Sequence, residues 1–147
     1  MKIYISASFA ARLRLRPMRD CLFAMGHDVT SSWLDEVARS ESMDQEVFDK
    51  KLAIKDLVEA GGADLLNQDT FTPSTTGGLH VEWGIALGRF QRQQLWLVGP
   101  ILNVFHRLYD LQFADWGELF EWIDPQVGYN VVKLEESVAM AETEWLE

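Results

Sequence analysis

The chain holds a single cysteine, Cys21, among 147 residues. One cysteine excludes an internal disulfide and any Cys-x-x-Cys metal site, and it fits a reducing compartment such as the cytoplasm. Basic residues are scarce, with 13 Lys and Arg against 23 Asp and Glu and a formal charge of -10. That balance excludes a general binder of nucleic-acid polymers, which needs a basic face to neutralise phosphates. No apolar run approaches the ~20 residues of a membrane span, and Pro100 interrupts the longest one. The opening Met1-Lys2-Ile3-Tyr4-Ile5 reads as a strand rather than a secretory leader. Familiar catalytic signatures are also missing. There is no G-x-G-x-x-G after the first strand, no G-x-x-x-x-G-K-[ST], no G-x-S-x-G and no H-E-x-x-H. His27, His80 and His106 lack metal-ligand spacing. No linker, internal repeat or low-complexity tract divides the chain.

What is present argues for one folded domain. An apolar fraction of 48% with 12% aromatics supplies a core and excludes disorder at this length. Short apolar strands are predicted at 2–6, 28–33, 63–67 and 95–98. Helical spacing is predicted over 10–25, with Leu13, Met18, Leu22 and Met25 facing the core and Gly26 as the stop. Further helices are predicted over 42–60, 77–90 and 114–123, Asp44 lying in the first turn of the earliest of these. Alternation of this kind implies an α/β, doubly wound, Rossmann/flavodoxin-like domain over 1–130, its mostly parallel sheet covered by helices on both faces. An acidic tail follows over 131–147 and reads as a segment able to dock as a helix. Ligands in such sheets bind beyond the carboxyl ends of the strands. Here that rule selects the loops 7–9, 68–76 and 99–106.

The most informative segment is 77–88. Hydroxyls at Thr72, Ser74, Thr75 and Thr76 run into Gly77 and Gly78, and a helix then opens with Glu82 about one turn in. Its position near the positive end of a helix favours the ionised form, and backbone N–H groups there can hold a polar ligand. An ionised glutamate fixed over a pocket is a candidate nucleophile or base. His80, two residues away, points to a different helix face and makes a poor catalytic pair. Arg12, Arg16 and Arg19 share one helix stripe. They are either a solvated face balancing local acids or, at Arg12, a contact for a ligand phosphate.

From Lys2 to about Asn103 the chain resembles the nucleoside 2-deoxyribosyltransferase family and its relatives, the nucleoside 5'-monophosphate N-glycosidases. The most specific part is Gly78-Leu79-His80-Val81-Glu82-Trp83-Gly84-Ile85-Ala86, similar to the family's Gly-x-x-x-Glu-x-Gly-x-Ala. The resemblance implies that Glu82 attacks the anomeric carbon of the sugar. It makes Tyr4 the group that orients Glu82, and Phe9 a wall of the base pocket. Lys55-Asp56-Leu57, eight residues before Asp64 by the position of Asp56, is similar to the family's Asp-Leu that meets the nucleobase. Asp56 would then exchange a proton with the leaving base, and Asp64 would be the structural aspartate that opens strand three. Asn103 resembles an asparagine that reaches the sugar's 5' end, often in a neighbouring subunit. One departure matters. Transferases commonly carry an aspartate six residues before the nucleophile to hold the 5'-hydroxyl, and Thr76 stands there here. A carboxylate repels a 5'-phosphate, whereas Ser74, Thr75, Thr76 and the N–H groups of Gly77 and Gly78 can accept one.

The implied chemistry explains the residue types. Breaking an N-glycosidic bond develops oxocarbenium-like charge, which a carboxylate beneath the ring captures as in retaining glycosidases. The departing base needs a proton, which suits a second carboxylate of raised pKa. No metal or organic cofactor is required. On spacing alone, Glu82 and Asp56 read as helix-surface acids, Tyr4 and Phe9 as strand and core aromatics, and Asn103 as a turn former. A non-enzymatic nucleotide-binding or sensor domain is therefore the competing class. The apolar stretch 99–106, followed by Trp116, Phe120 and Trp122, marks an interface unless those aromatics cover the monomer's own sheet. The resemblance favours a homodimer or homotetramer, with Asn103 near Glu82 of the partner subunit.

Overall fold

A computed structural model describes residues 1–37, 42–89 and 93–125. Five strands form one parallel sheet in the order β2-β1-β3-β4-β5. They are β1 (Lys2–Ser6), β2 (Asp28–Val29), β3 (Leu65–Asp69), β4 (Gln94–Val98) and β5 (Leu111–Phe113). The helices are α1 (Arg12–Ala24), α2 (Gln45–Gly62), α3 (Gly78–Leu87) and α4 (Trp116–Ile123). This is the flavodoxin-like order, in which the direction of winding reverses between β1 and β3. The expected acidic tail over 131–147 lies outside the described residues.

Strand alternation sorts the core into two layers. On one face Ile3, Leu65, Asn67 and Trp96 meet Leu22 of α1 and Leu119 and Ile123 of α4. The opposite face of β1 and β3 carries α3, while α2 packs against α3. Asp64 opens β3 by accepting the Lys2 N–H at 2.7 Å through its carboxylate. At the other end of β3, Asp69 is fully buried. It accepts two bonds from the Arg14 guanidinium at 2.9 and 2.8 Å, one from Trp116 Nε1 at 2.8 Å and one from the Phe71 N–H at 3.1 Å. A buried carboxylate so fully partnered ties α1, β3 and α4 together, and removing one charge of such a pair costs about 3–5 kcal/mol.

Several boundaries differ from expectation. A 3-10 turn over Phe9–Ala11 precedes α1. Met18 and Leu22 face the core as expected, and Leu15, three residues before Met18, is buried with them, while Leu13, five residues before Met18, is 55% exposed. The second strand stops at Val29, and Ser32–Asp35 forms another 3-10 turn that buries Trp33. Asp44 is the N-cap of α2, accepting the Val47 N–H at 2.9 Å, rather than a residue of its first turn. Arg19 pairs with Asp35 at 2.8 Å and Arg16 donates to the Leu34 carbonyl at 2.7 Å, so these two cations serve the local surface.

Candidate active site

Tyr4 and Ser6 are two residues apart on β1 and so point to the same face of the sheet. Parallel register places Ser6 beside Gln68 of β3. Above them, α3 starts at a glycine pair. Gly77 has φ of 74°, a left-handed conformation that costs a side-chain-bearing residue strain, and its N–H is held by Ser74 Oγ at 3.2 Å. Leu79, Trp83 and Ala86 are the buried face of α3. Glu82, three residues after Leu79 and four before Ala86, falls on that same face. The apolar stripe that docks the helix thus carries a carboxylate inward with it. Tyr4 donates its hydroxyl to Glu82 Oε1 at 2.8 Å, and Ser6 donates to Oε2.

A cavity of about 460 Å³ opens here, beyond the carboxyl ends of β1 and β3. That volume suits a small organic ligand. Ala7, Ser8 and Phe9 line it from the β1 end, and Ser74, Thr76, Gly78, Leu79 and Glu82 from the start of α3. Trp33, Glu36, Val37, Phe48, Asp49, Leu52 and Asp56 complete the wall. The Phe9 and Trp33 rings lie 6.5 Å apart, an apolar pair suited to a planar ligand.

Burial dominates the electrostatics. Glu82 is pushed up to about 7, chiefly by burial, against the pull of the Ser6 and Tyr4 hydrogen bonds. Its expected ionisation at a helix N-terminus is thus outweighed by desolvation. Asp56 is raised to about 6 by burial and then by Glu36, while Lys55 opposes the shift. Lys55 is itself paired with Glu36. Tyr4 is pushed far above its ordinary value, first by burial and then by Glu82 and Asp56, so it remains a hydroxyl donor. Among the described residues Asp56 Oδ1 is buried with no hydrogen-bond partner.

The residues expected at the site divide into two groups. Glu82, Asp56, Phe9, Ser74, Thr76 and Gly78 line the cavity, and Tyr4 touches Glu82. Thr75, Gly77, Arg12 and Asn103 do not line it. The Arg12 guanidinium lies 4.4 Å from the centre of the Phe9 ring, with its Nε buried and unpartnered among the described residues. Asn103 caps a 3-10 turn over Val104–Leu108 through the Phe105 and His106 N–H groups, and it contacts His80 Nδ1 at 3.1 Å. Sequence reasoning missed Ser6, Trp33, Glu36, Phe48 and Asp49, and it reached Gln68 only as the first residue of the loop 68–76, with no role. The i, i+2 spacing from Tyr4 could have found Ser6; the others depend on register or on distant loops.

Fold and cavity together define a flavodoxin-like α/β domain with a small-ligand cleft at its topological switch point. Among solved structures the chain is similar to a 2-deoxyribosyltransferase from the psychrotolerant bacterium Bacillus psychrosaccharolyticus. The TM-score is 0.63 at 19% identity, covering 81% of this chain and 90% of that one. It is also similar to the Clostridium botulinum CMP N-glycosidase BcmB, with a TM-score of 0.53 at 13% identity, covering 84% of this chain and 98% of that one. At these identities the likeness is one of fold. No family model matches the chain, and no curated protein matches it either.

Proposed function

We propose that the chain cleaves or transfers at the N-glycosidic bond of a nucleoside, 2'-deoxynucleoside or 5'-monophosphate through a glycosyl intermediate on Glu82. The observation that carries this reading is the bracketing of a half-buried Glu82 by the Tyr4 and Ser6 hydroxyls in a cavity that Asp56 also lines. A carboxylate oxygen of Glu82 forms a bond to the anomeric carbon as the bond from that carbon to the base nitrogen breaks. The electron pair leaves with the base, which takes a proton from the Asp56 carboxyl. Water then releases the sugar, or a second base accepts it. The named activities of the two solved structures of similar fold support the reading.

The wall formed by Ser74, Thr76 and Gly78 favours a second, narrower reading, a 5'-monophosphate N-glycosidase acting as a strict hydrolase. It offers hydroxyls and no carboxylate to the sugar's 5' end. Arg12, over the ring of Phe9, adds positive charge beside the cavity wall. We place the reaction in a reducing, cytoplasmic setting, in keeping with the lone Cys21. The assembly proposed is a symmetric dimer or a dimer of dimers.

The test is incubation with nucleosides and their monophosphates, with and without an acceptor base, following free base and exchanged product. Base exchange marks a transferase, and free base with sugar marks a hydrolase. Binding without turnover overturns the enzyme reading in favour of a sensor domain. Glu82→Ala should lower turnover by several orders of magnitude with the fold intact; wild-type turnover in that variant removes the mechanism. A higher kcat/KM for the monophosphate, reversed by Thr76→Asp, supports the narrower reading.

A further inference from the structure

Gln68 is fully buried within β3. Its Nε2 lies 2.6 Å from the Leu79 carbonyl and 2.9 Å from Ser6 Oγ. The Leu79 oxygen can only accept, so the atom facing it is the amide NH2. Both amide protons are then committed, one to Leu79 and one to Ser6. With Oγ accepting from Gln68, the single proton of Ser6 is free to point at Glu82 Oε2, the carboxylate oxygen in contact with it. Tyr4 covers the other oxygen.

We infer that Gln68, acting through Ser6, is a positioning residue that fixes the rotamer of Glu82 and holds its carboxylate ready for attack. The inference rests on Glu82 being the nucleophile. The same amide that orients the hydroxyl also grips the first turn of α3 at Leu79, so strand and helix are locked at the spacing the hydroxyl has to bridge. Such pre-organised donors act without reorganisation at the moment of reaction. The register pairing of Ser6 with Gln68 makes the relay possible, because a one-residue slip would turn Gln68 to the opposite face.

Other groups bearing on Glu82 are Tyr4 of β1 and Asp56 and Glu59 of α2, while β3 presents the neutral Gln68. Ser6 and Gln68 can therefore be changed without removing a charge from the site. The test is titration of the full chain, labelled with glutamate carrying carbon-13 at the side-chain carboxyl, by NMR, with the Glu82 signal identified by its loss in Glu82→Gln. Ser6→Ala and Gln68→Leu should each move the Glu82 midpoint upward by about one pH unit or more, because a donor to the ionised form is lost or misdirected. The double variant should shift no further than Ser6→Ala alone. Unchanged midpoints in folded single variants, or fully additive shifts, overturn the relay. If Gln68→Leu does not fold, Gln68→Met supplies the same comparison. Turnover provides a second reading: kcat should fall with KM little changed. A wild-type chain that turns over no nucleoside or nucleotide sinks the proposed function, and the titration still decides the relay.

Discussion

Glu82 and Asp56, raised to about 7 and about 6, have to carry opposite protonation states for the proposed bond cleavage. In the proposed mechanism Glu82 attacks as a carboxylate and Asp56 donates as an acid. Between those two values the pair holds one proton, mainly on Glu82, so the reactive arrangement is the minor singly protonated form; kcat/KM should still peak between about pH 6 and 7 and fall on both sides, with limits that belong to the pair. A plateau extending to pH 9 would show that no acid is needed. The same burial costs stability. The folded state holds the Glu82 proton up to about 7, while the unfolded chain releases it near 4.5, so the folded state binds more protons between those values. Stability therefore declines as pH rises through that window, by about 3 kcal/mol at most. Glu82→Gln cannot ionise and should gain on the wild type by that amount on going from pH 4 to pH 8, as read by urea denaturation at each pH. An equal difference at both pH values would show that Glu82 is not destabilised by ionisation. Little of this was legible in the sequence. The motif singled out Glu82, and the helix terminus argued for ready ionisation. That Leu79 and Ala86 carry the carboxylate inward is a fact of packing, and packing decides the sign.

β1 was readable to the residue, because a short apolar run, Ile3-Tyr4-Ile5, stands between Lys2 and Ser6, and all but Lys2 are buried. β5 was missed because it has three residues, and Gln112 between Leu111 and Phe113 faces solvent. The α1 error at Leu13 was one of spacing: Leu15, three residues before Met18 and seven before Leu22, shares their face, whereas Leu13, five before Met18, does not. β3 shows what alternation alone does not reveal. Asn67 is buried in this strand with both its amide atoms unpartnered among the described residues, sharing a small gap with Leu22, Trp96 and Leu119. An unmet amide in apolar surroundings costs roughly 1–3 kcal/mol. Asn67→Leu should raise the denaturation midpoint by a corresponding amount with turnover unchanged, since Asn67 and the cavity lie on opposite faces of the sheet. Destabilisation would show that the amide has a partner after all. Asp69, two residues on, faces the same side but is fully satisfied by Arg14 and Trp116. The residue that completes the ion pair, Arg14, lies between the members of the stripe read from sequence at Arg12, Arg16 and Arg19.

At the scale of the molecule, the apolar stretch near 99–106 and the aromatics after it part company. Trp116 and Phe120 are fully buried and cover the monomer's own sheet, as one of the two sequence readings held. Trp122 is 64% exposed, and Leu102, Val104, Phe105 and Leu108 remain at the surface. Phe105 is tied to α3 through its carbonyl, which accepts the Trp83 Nε1–H at 3.0 Å. Val81 on α3, with Ile54, Leu57 and Val58 on α2, adds further exposed apolar side chains. Exposed apolar surface of this kind is stabilised by burial against another copy, and aromatic residues are favoured at the centre of such contacts. The turn that Asn103 caps carries Val104 and Phe105, so its cap shapes this surface even though Asn103 does not line the cavity of its own chain. A symmetric dimer at micromolar concentration is the expected outcome by light scattering. Phe105→Glu should convert it to a monomer, because burying a carboxylate at a two-fold contact opposes association twice over. If that monomer keeps full activity, the site is complete within one chain and the partner's role is structural; a wild-type chain that is monomeric at these concentrations rules out the dimer.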